Sequence, residues 1–124
     1  TQVSGSSKIF KGSMVVYSNS SKVNLLGVDK NCIDKYGAVS EQTAREMAEK
    51  VRAIFSSKVG LSITGIAGPD GGSKNKPIGL TYVGLSTSKK TKVQKYQFGS
   101  IRKINKMRAS QALLNWMRLE MNNV

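Results

Sequence analysis

Residues 62 to 72 read Ser-Ile-Thr-Gly-Ile-Ala-Gly-Pro-Asp-Gly-Gly, an apolar, β-branched run that breaks into a loop of glycine, proline and aspartate. Gly60 to Ile66 alternates apolar and small residues, the pattern of a buried strand. In the loop Pro69 fixes φ, Asp70 favours a turn, and Gly71 and Gly72 admit positive φ. Main-chain N–H groups can therefore converge on something negative, with Thr64 at the mouth. A tight surface turn would read the same way in isolation, so the stretch takes its meaning from its neighbours.

Working upstream, Ser40 caps a helix whose Ala44, Met47, Ala48, Val51, Ile54 and Phe55 recur at helical spacing, with Glu41 in its first turn. Before it, Asn31 to Tyr36 reads as a short helix ended by Gly37. Ser18 to Ser21 offers caps for a helix carrying Lys22, Val23, Leu25 and Leu26 and closed by Gly27. Met14 to Tyr17 is an apolar run read as a buried strand. Gly5-Ser6-Ser7 opens a short helical turn with serine as its cap, which serves either as a plain cap or as a phosphate seat. Downstream, strands are expected over residues 78–86 and 91–98, joined as a hairpin with the second nearer the sheet edge. A long helix from Ile101 to Met121 follows. Its stripe of Ile104, Met107, Leu114, Met117 and Met121, widened by Leu113 and Trp116, is read as core. Strands interspersed with amphipathic helices predict an α/β layer domain with a mixed sheet.

The chain has 124 residues, enough for one domain spanning 1–124, and its 39% hydrophobic and 22% charged residues are ordinary globular values. No apolar run approaches the length of a membrane span, so no membrane association is expected. The opening Thr1-Gln2-Val3-Ser4 shows neither an initiator methionine nor a signal peptide. A lone Cys32 and the absence of histidine suit a reducing, cytoplasmic setting and leave few metal ligands, so neither a metal site nor a cofactor is expected. The net charge of +13 raises nucleic-acid binding as a possibility. Against it, the lysines are dispersed over several elements without interleaved aromatics, and they outnumber arginine fifteen to five. The charge is read instead as a solvated surface whose field draws in anionic small molecules.

Lys22 carries a more specific expectation. It lies in the first turns of a helix, just after the strand that Tyr17 ends. The positive end of a helix, together with burial, lowers a lysine pKa and makes the amine a usable base, whereas an exposed lysine at the same place would carry no chemistry.

Taken together, Gly5-Ser6-Ser7, Val16-Tyr17-Ser18-Asn19-Ser20-Ser21-Lys22, Leu26-Gly27-Val28, Tyr36-Gly37-Ala38-Val39-Ser40, Ile63 through Gly72 and Lys76-Pro77-Ile78-Gly79 resemble the CinA C-terminal domain family of nicotinamide mononucleotide deamidases. The likeness runs over nearly the whole chain in the family's order. It implies a three-layer α/β/α sandwich and a metal-free amidase that converts nicotinamide mononucleotide to the acid nucleotide and ammonia by a serine and a lysine. Lys22, Tyr17 and Thr64 match the family's catalytic positions. Gly5, Ser6, Ser7, Asn19, Gly65, Ala67, Gly68, Gly71, Gly72 and Arg102 match substrate-binding ones. A homo-oligomer is also implied.

Two departures matter. The family's nucleophilic serine lies in a Glu-Ser-Cys-Thr-Gly-Gly motif that would precede Thr1, within a strand and helix missing from these residues. The expectation is therefore either a site completed from outside these residues or a catalytically inactive nucleotide-binding or oligomerising module. Loss of that strand and helix would also uncover apolar surface and favour self-association. Second, a family Gly-Asp-Arg motif is replaced around Gly99-Ser100-Ile101-Arg102, which keeps the arginine and removes the acid.

Overall fold

A computed structural model of the chain describes residues 1–123. After a short 3₁₀ turn at Ser6–Lys8, helix α1 begins at Asn19–Ser21 and runs on as a π-helical turn through Lys22–Leu26. Helices α2 (Lys30–Tyr36) and α3 (Glu41–Ile54) follow. Strands β1 (Gly60–Gly65), β2 (Leu80–Ser86) and β3 (Thr91–Gln97) precede helix α4 (Arg102–Asn122).

The helix boundaries obey local chemistry. The Ser18 hydroxyl accepts from the Ser21 N–H, Asp29 from Asn31 and Ser40 from Thr43, each satisfying a first-turn donor. Gly27 ends the π turn with φ 85°, a conformation open to glycine without strain. At the 3₁₀ turn the expected serine cap is absent, because Gly5 holds the cap position in a left-handed conformation with no side chain to accept a bond.

The sheet runs in the order β1-β2-β3, and both pairings are antiparallel. The α/β class stands, but among the described residues the sheet is not mixed. A parallel pair would need a crossover, whereas β2 and β3 are joined by the short turn around Thr87–Lys90. Met14–Tyr17 joins no ladder among the described residues. Only Val16 of that run is buried, while Val15 is 88% and Tyr17 78% exposed.

Alternation along β2 puts helices on both faces of the sheet, as a three-layer sandwich requires. Val83 and Leu85 face α4 and pack with Leu113 and Trp116, joined by Leu61 and Tyr96. Gly84 faces α3, where a Cβ would lie 2.6 Å from the Ala44 carbonyl oxygen and 3.1 Å from the Ala48 Cβ. Gly60 is constrained in the same way against the Ala48 carbonyl. Polar ties fix the close approach: Ser62 donates to the Ala44 carbonyl at 2.6 Å, Arg52 to the Ser86 hydroxyl at 3.1 Å and Arg45 to the Thr91 carbonyl at 2.6 Å. A second cluster, Val16, Leu26, Val28, Ile33 and Met47, fills the space between α3 and the N-terminal segments.

The buried face of α4 differs from the expected stripe. Asn105, Ala109, Leu113 and Trp116 turn inward, whereas Met107, Leu114 and Met121 are exposed. The helix is apolar on more than one side, so periodicity does not select the face; the shape of the sheet does. At its far end Lys92 of β3 meets Glu120 at 2.8 Å, and Trp116 donates to the same carboxylate.

Two stability measurements check this arrangement. Leu113→Ala is expected to lower the unfolding free energy by about 2–5 kcal/mol, and Leu114→Ala to stay within about 0.5 kcal/mol of the parent, read from urea denaturation. Ile101, at the N-cap of α4, makes no side-chain cap. Ile101→Asp restores an acceptor for the orphan N–H groups and is expected to gain about 0.5–2 kcal/mol in the same assay.

Candidate functional site

The site begins with the amine of Lys22. The π-helical turn swings this side chain inward rather than along the surface, and the residue is only 7% exposed. Its Nζ donates to the Val16 carbonyl at 2.9 Å and the Tyr17 carbonyl at 3.2 Å. Burial lowers its pKa, the direction the sequence led us to expect of a buried lysine. Among the described residues no carboxylate is bonded to the amine, so the two carbonyls offset the cost of keeping it charged only in part.

Tyr17 links this amine to the glycine loop. Its carbonyl accepts from Lys22, while its phenol oxygen accepts from the Arg102 guanidinium at 3.2 Å. The other arm of that guanidinium donates to the Gly68 carbonyl at 3.1 Å. Arg102 thus bridges the N-terminal segment and the loop across the start of α4, as a planar fork with several donors can.

Thr64 is buried, and its hydroxyl donates to the Ala38 carbonyl at 2.7 Å. Its proton is thereby committed, leaving the oxygen only as an acceptor. The 36–40 segment that it holds is secured several times over. Lys76 donates to the Tyr36 carbonyl at 2.6 Å, and both Ser40 and Thr43 donate to the Gly37 carbonyl.

The loop itself is shaped by glycine. Gly68 has φ 87°, and a Cβ there would sit 2.6 Å from Ile78. Gly65 has no room for a side chain beside Thr81, and Gly72 has none beside Ile78. Gly71, with φ 93°, faces open space.

Among the expected residues, the structure joins Lys22, Tyr17, Arg102 and Gly68 by hydrogen bonds. Thr64 and Gly65 lie on the strand that leads into the same loop. Gly5, Ser6 and Ser7 form a turn bonded within itself, with Lys8 donating to the Gly5 carbonyl and Phe10 to that of Ser6, and no bond joins the turn to Lys22 or the loop. Asn19 is exposed, and no side-chain bond ties it to the others.

Sequence reading missed Asn105. It is 3% exposed on the inward face of α4, and its amide group donates to the Ala67 carbonyl at 3.0 Å and the Gly99 carbonyl at 2.9 Å. Those two acceptors fix which end of the carboxamide carries the nitrogen. Its Oδ1 is the buried side-chain atom without a partner among the described residues. Such an orphan costs about 1–3 kcal/mol. The available signal was a polar residue four positions before Ala109 and eight before Leu113 on an otherwise apolar face. The single thiol, Cys32, is pushed up chiefly by burial, which keeps it protonated and a poor nucleophile.

Comparison with known proteins places this geometry. The family model for the CinA C-terminal domain matches residues 1–121. A protein named for competence-damage induction from Caldanaerobacter subterraneus subsp. tengcongensis is 56% identical over 95 residues, which are 77% of this chain and 23% of that protein. A CinA-like protein from Kosmotoga olearia is 47% identical over 116 residues, 94% of this chain and 28% of its own length. The chain thus spans about a quarter of the curated relatives it matches. Among solved structures, the competence/damage inducible protein CihA from Agrobacterium tumefaciens superposes with a TM-score of 0.80 at 30% identity, covering 86% of this chain and 65% of that one. A buried lysine, a glycine loop and a family match over almost every residue lead to one statement: the chain belongs to the CinA C-terminal domain family.

Proposed function

We propose that this chain carries the lysine side of an amidohydrolase site acting on nicotinamide mononucleotide, releasing nicotinate mononucleotide and ammonia. The observation that carries the reading is the Lys22 amine, buried and held on the carbonyls of Val16 and Tyr17 with a lowered pKa. A neutral amine takes the proton from a serine hydroxyl, the nucleophile that the family resemblance supplies in the Glu-Ser-Cys-Thr-Gly-Gly segment. The serine oxygen attacks the carboxamide carbon, and the resulting oxyanion is stabilised by loop N–H groups. The lysine returns the proton to the departing ammonia. Water then cleaves the ester, giving the carboxylate and free serine. The positive surface favours a phosphate-bearing substrate, and Arg102 lies close enough to the loop to bind it. No metal or cofactor has a part in this scheme, and the setting it suits is cytoplasmic.

A second reading, a nucleotide-binding and self-associating module without turnover, is favoured by the exposed Val15, Met107 and Leu114. Sedimentation would show a concentration-dependent assembly, and nucleotide would bind with no ammonia released even when the serine segment is present.

The amidase reading predicts ammonia release from nicotinamide mononucleotide by this chain extended with the serine segment. Lys22→Ala and Lys22→Arg should each lower kcat by about 100-fold or more, since an arginine cannot act as the base. Release that is absent, or unchanged in these variants, rejects it. The rising limb of the pH–rate profile should fall below the ordinary lysine value of 10.5.

Stability carries a matching sign. Because the folded pKa is lowered, the unfolded chain binds the extra proton at pH values between that pKa and 10.5, and stability rises with pH across that window. Lys22→Met should abolish this slope in denaturation curves measured at successive pH values.

A further inference from the structure

Asn105 is an anomaly that packing does not explain. It occupies an inward position of α4 in line with Ala109, Leu113 and Trp116, and its Oδ1 has no partner among the described residues. An apolar side chain there would remove that orphan but would leave the carbonyls of Ala67 and Gly99 without this donor. What it contributes is its amide group, which holds the carbonyls of Ala67 in the glycine loop and Gly99 in the turn before α4.

The effect on the loop follows from peptide geometry. The Ala67–Gly68 bond is not among the cis peptides, so its C=O and N–H point in opposite directions. With the Ala67 oxygen drawn to Asn105, the Gly68 N–H is turned away from α4. Arg102 holds the next carbonyl, that of Gly68, and with its other arm the Tyr17 phenol. Consecutive carbonyls are thus pinned from one helix end. Gly68 is a buried residue, yet its N–H meets no acceptor among the described residues. A donor left free by so much anchoring is set up for a ligand's acceptor.

We infer that Asn105 is a positioning residue: by holding the Ala67 carbonyl it aims the Gly68 N–H at the acyl oxygen of the bound carboxamide. This rests on the amidase reading above and adds to it the particular donor and the residue that sets it. Asn105 itself touches no reacting atom.

The test uses ¹⁵N,¹³C-labelled chain titrated with nicotinamide mononucleotide, comparing the parent with Asn105→Ala and Asn105→Gln. In the parent, the Gly68 amide proton should move on titration. In Asn105→Ala, the Ala67 carbonyl carbon should shift upfield without ligand, the Gly68 response should vanish, and Kd should rise about tenfold, one net hydrogen bond's worth. Asn105→Gln, which keeps the amide, should recover part of each change and serves if the alanine variant does not fold. A merely structural role would lower the melting temperature and leave the Ala67 carbon and the Gly68 response in place; that result overturns the inference. Nucleotide binding with a silent Gly68 amide in the parent also overturns it while leaving the amidase reading intact. Absence of binding by the parent overturns the inference as regards ligand, whereas the amidase reading stands or falls by ammonia release from the extended chain. The Ala67 carbon then decides by itself whether Asn105 orients the peptide.

Discussion

The fold depends on how closely α3 lies against the sheet. Gly60 and Gly84, on neighbouring strands, leave no volume where the carbonyls of Ala44 and Ala48 pass. At that separation the backbone of the helix is within reach of the strand's short side chains, so Ser62 bonds to Ala44 rather than to water. The same approach brings the end of β1 beneath the segment before α3, where Thr64 finds the Ala38 carbonyl. A bulkier pair of residues would lift the helix and release these contacts together, since well-packed interiors respond to added volume by shifting backbone. The glycine loop leaves β1 from a fixed point because the strand is fixed.

On that frame the candidate site is assembled by carbonyls. Val16 and Tyr17 receive the Lys22 amine, Gly68 receives Arg102, and Ala67 and Gly99 receive Asn105. Each cation or amide is held by backbone oxygens instead of carboxylates, which leaves positive charge without local neutralisation. For Lys22 the result is a lowered pKa, because carbonyl dipoles replace water only in part. For Arg102, which cannot give up its proton, the result is a standing positive charge between the loop and Tyr17. A lysine whose pKa is lowered and a guanidinium that is always charged are thus tied to the two ends of one residue, Tyr17.

Much of this could be read along the chain wherever the signal is local. Ser40 and Glu41 announced α3, Gly27 and Gly37 announced helix ends, and the β-branched run before Gly65 announced β1; each depends on φ, ψ and capping within a few residues. The same local logic failed for Met14–Tyr17. A β-branched apolar run has strand propensity, but a ladder needs a partner edge, and here the segment has none among the described residues. It also failed for the serine cap at Gly5, where a left-handed glycine took the position.

The sequence by itself determined the order of the elements, most of their ends, the three sheet strands and, through extended motifs, the family. Tertiary structure decided which side of α4 is buried, because a helix with apolar residues on several sides has no single face until a surface selects one. It also decided that Lys22 points inward, that Arg102 spans Tyr17 and Gly68, and that Asn105 clamps the loop from 38 positions away. Burial and long-range hydrogen bonds are properties of the space between elements, and that space is not written in the periodicity of any one of them.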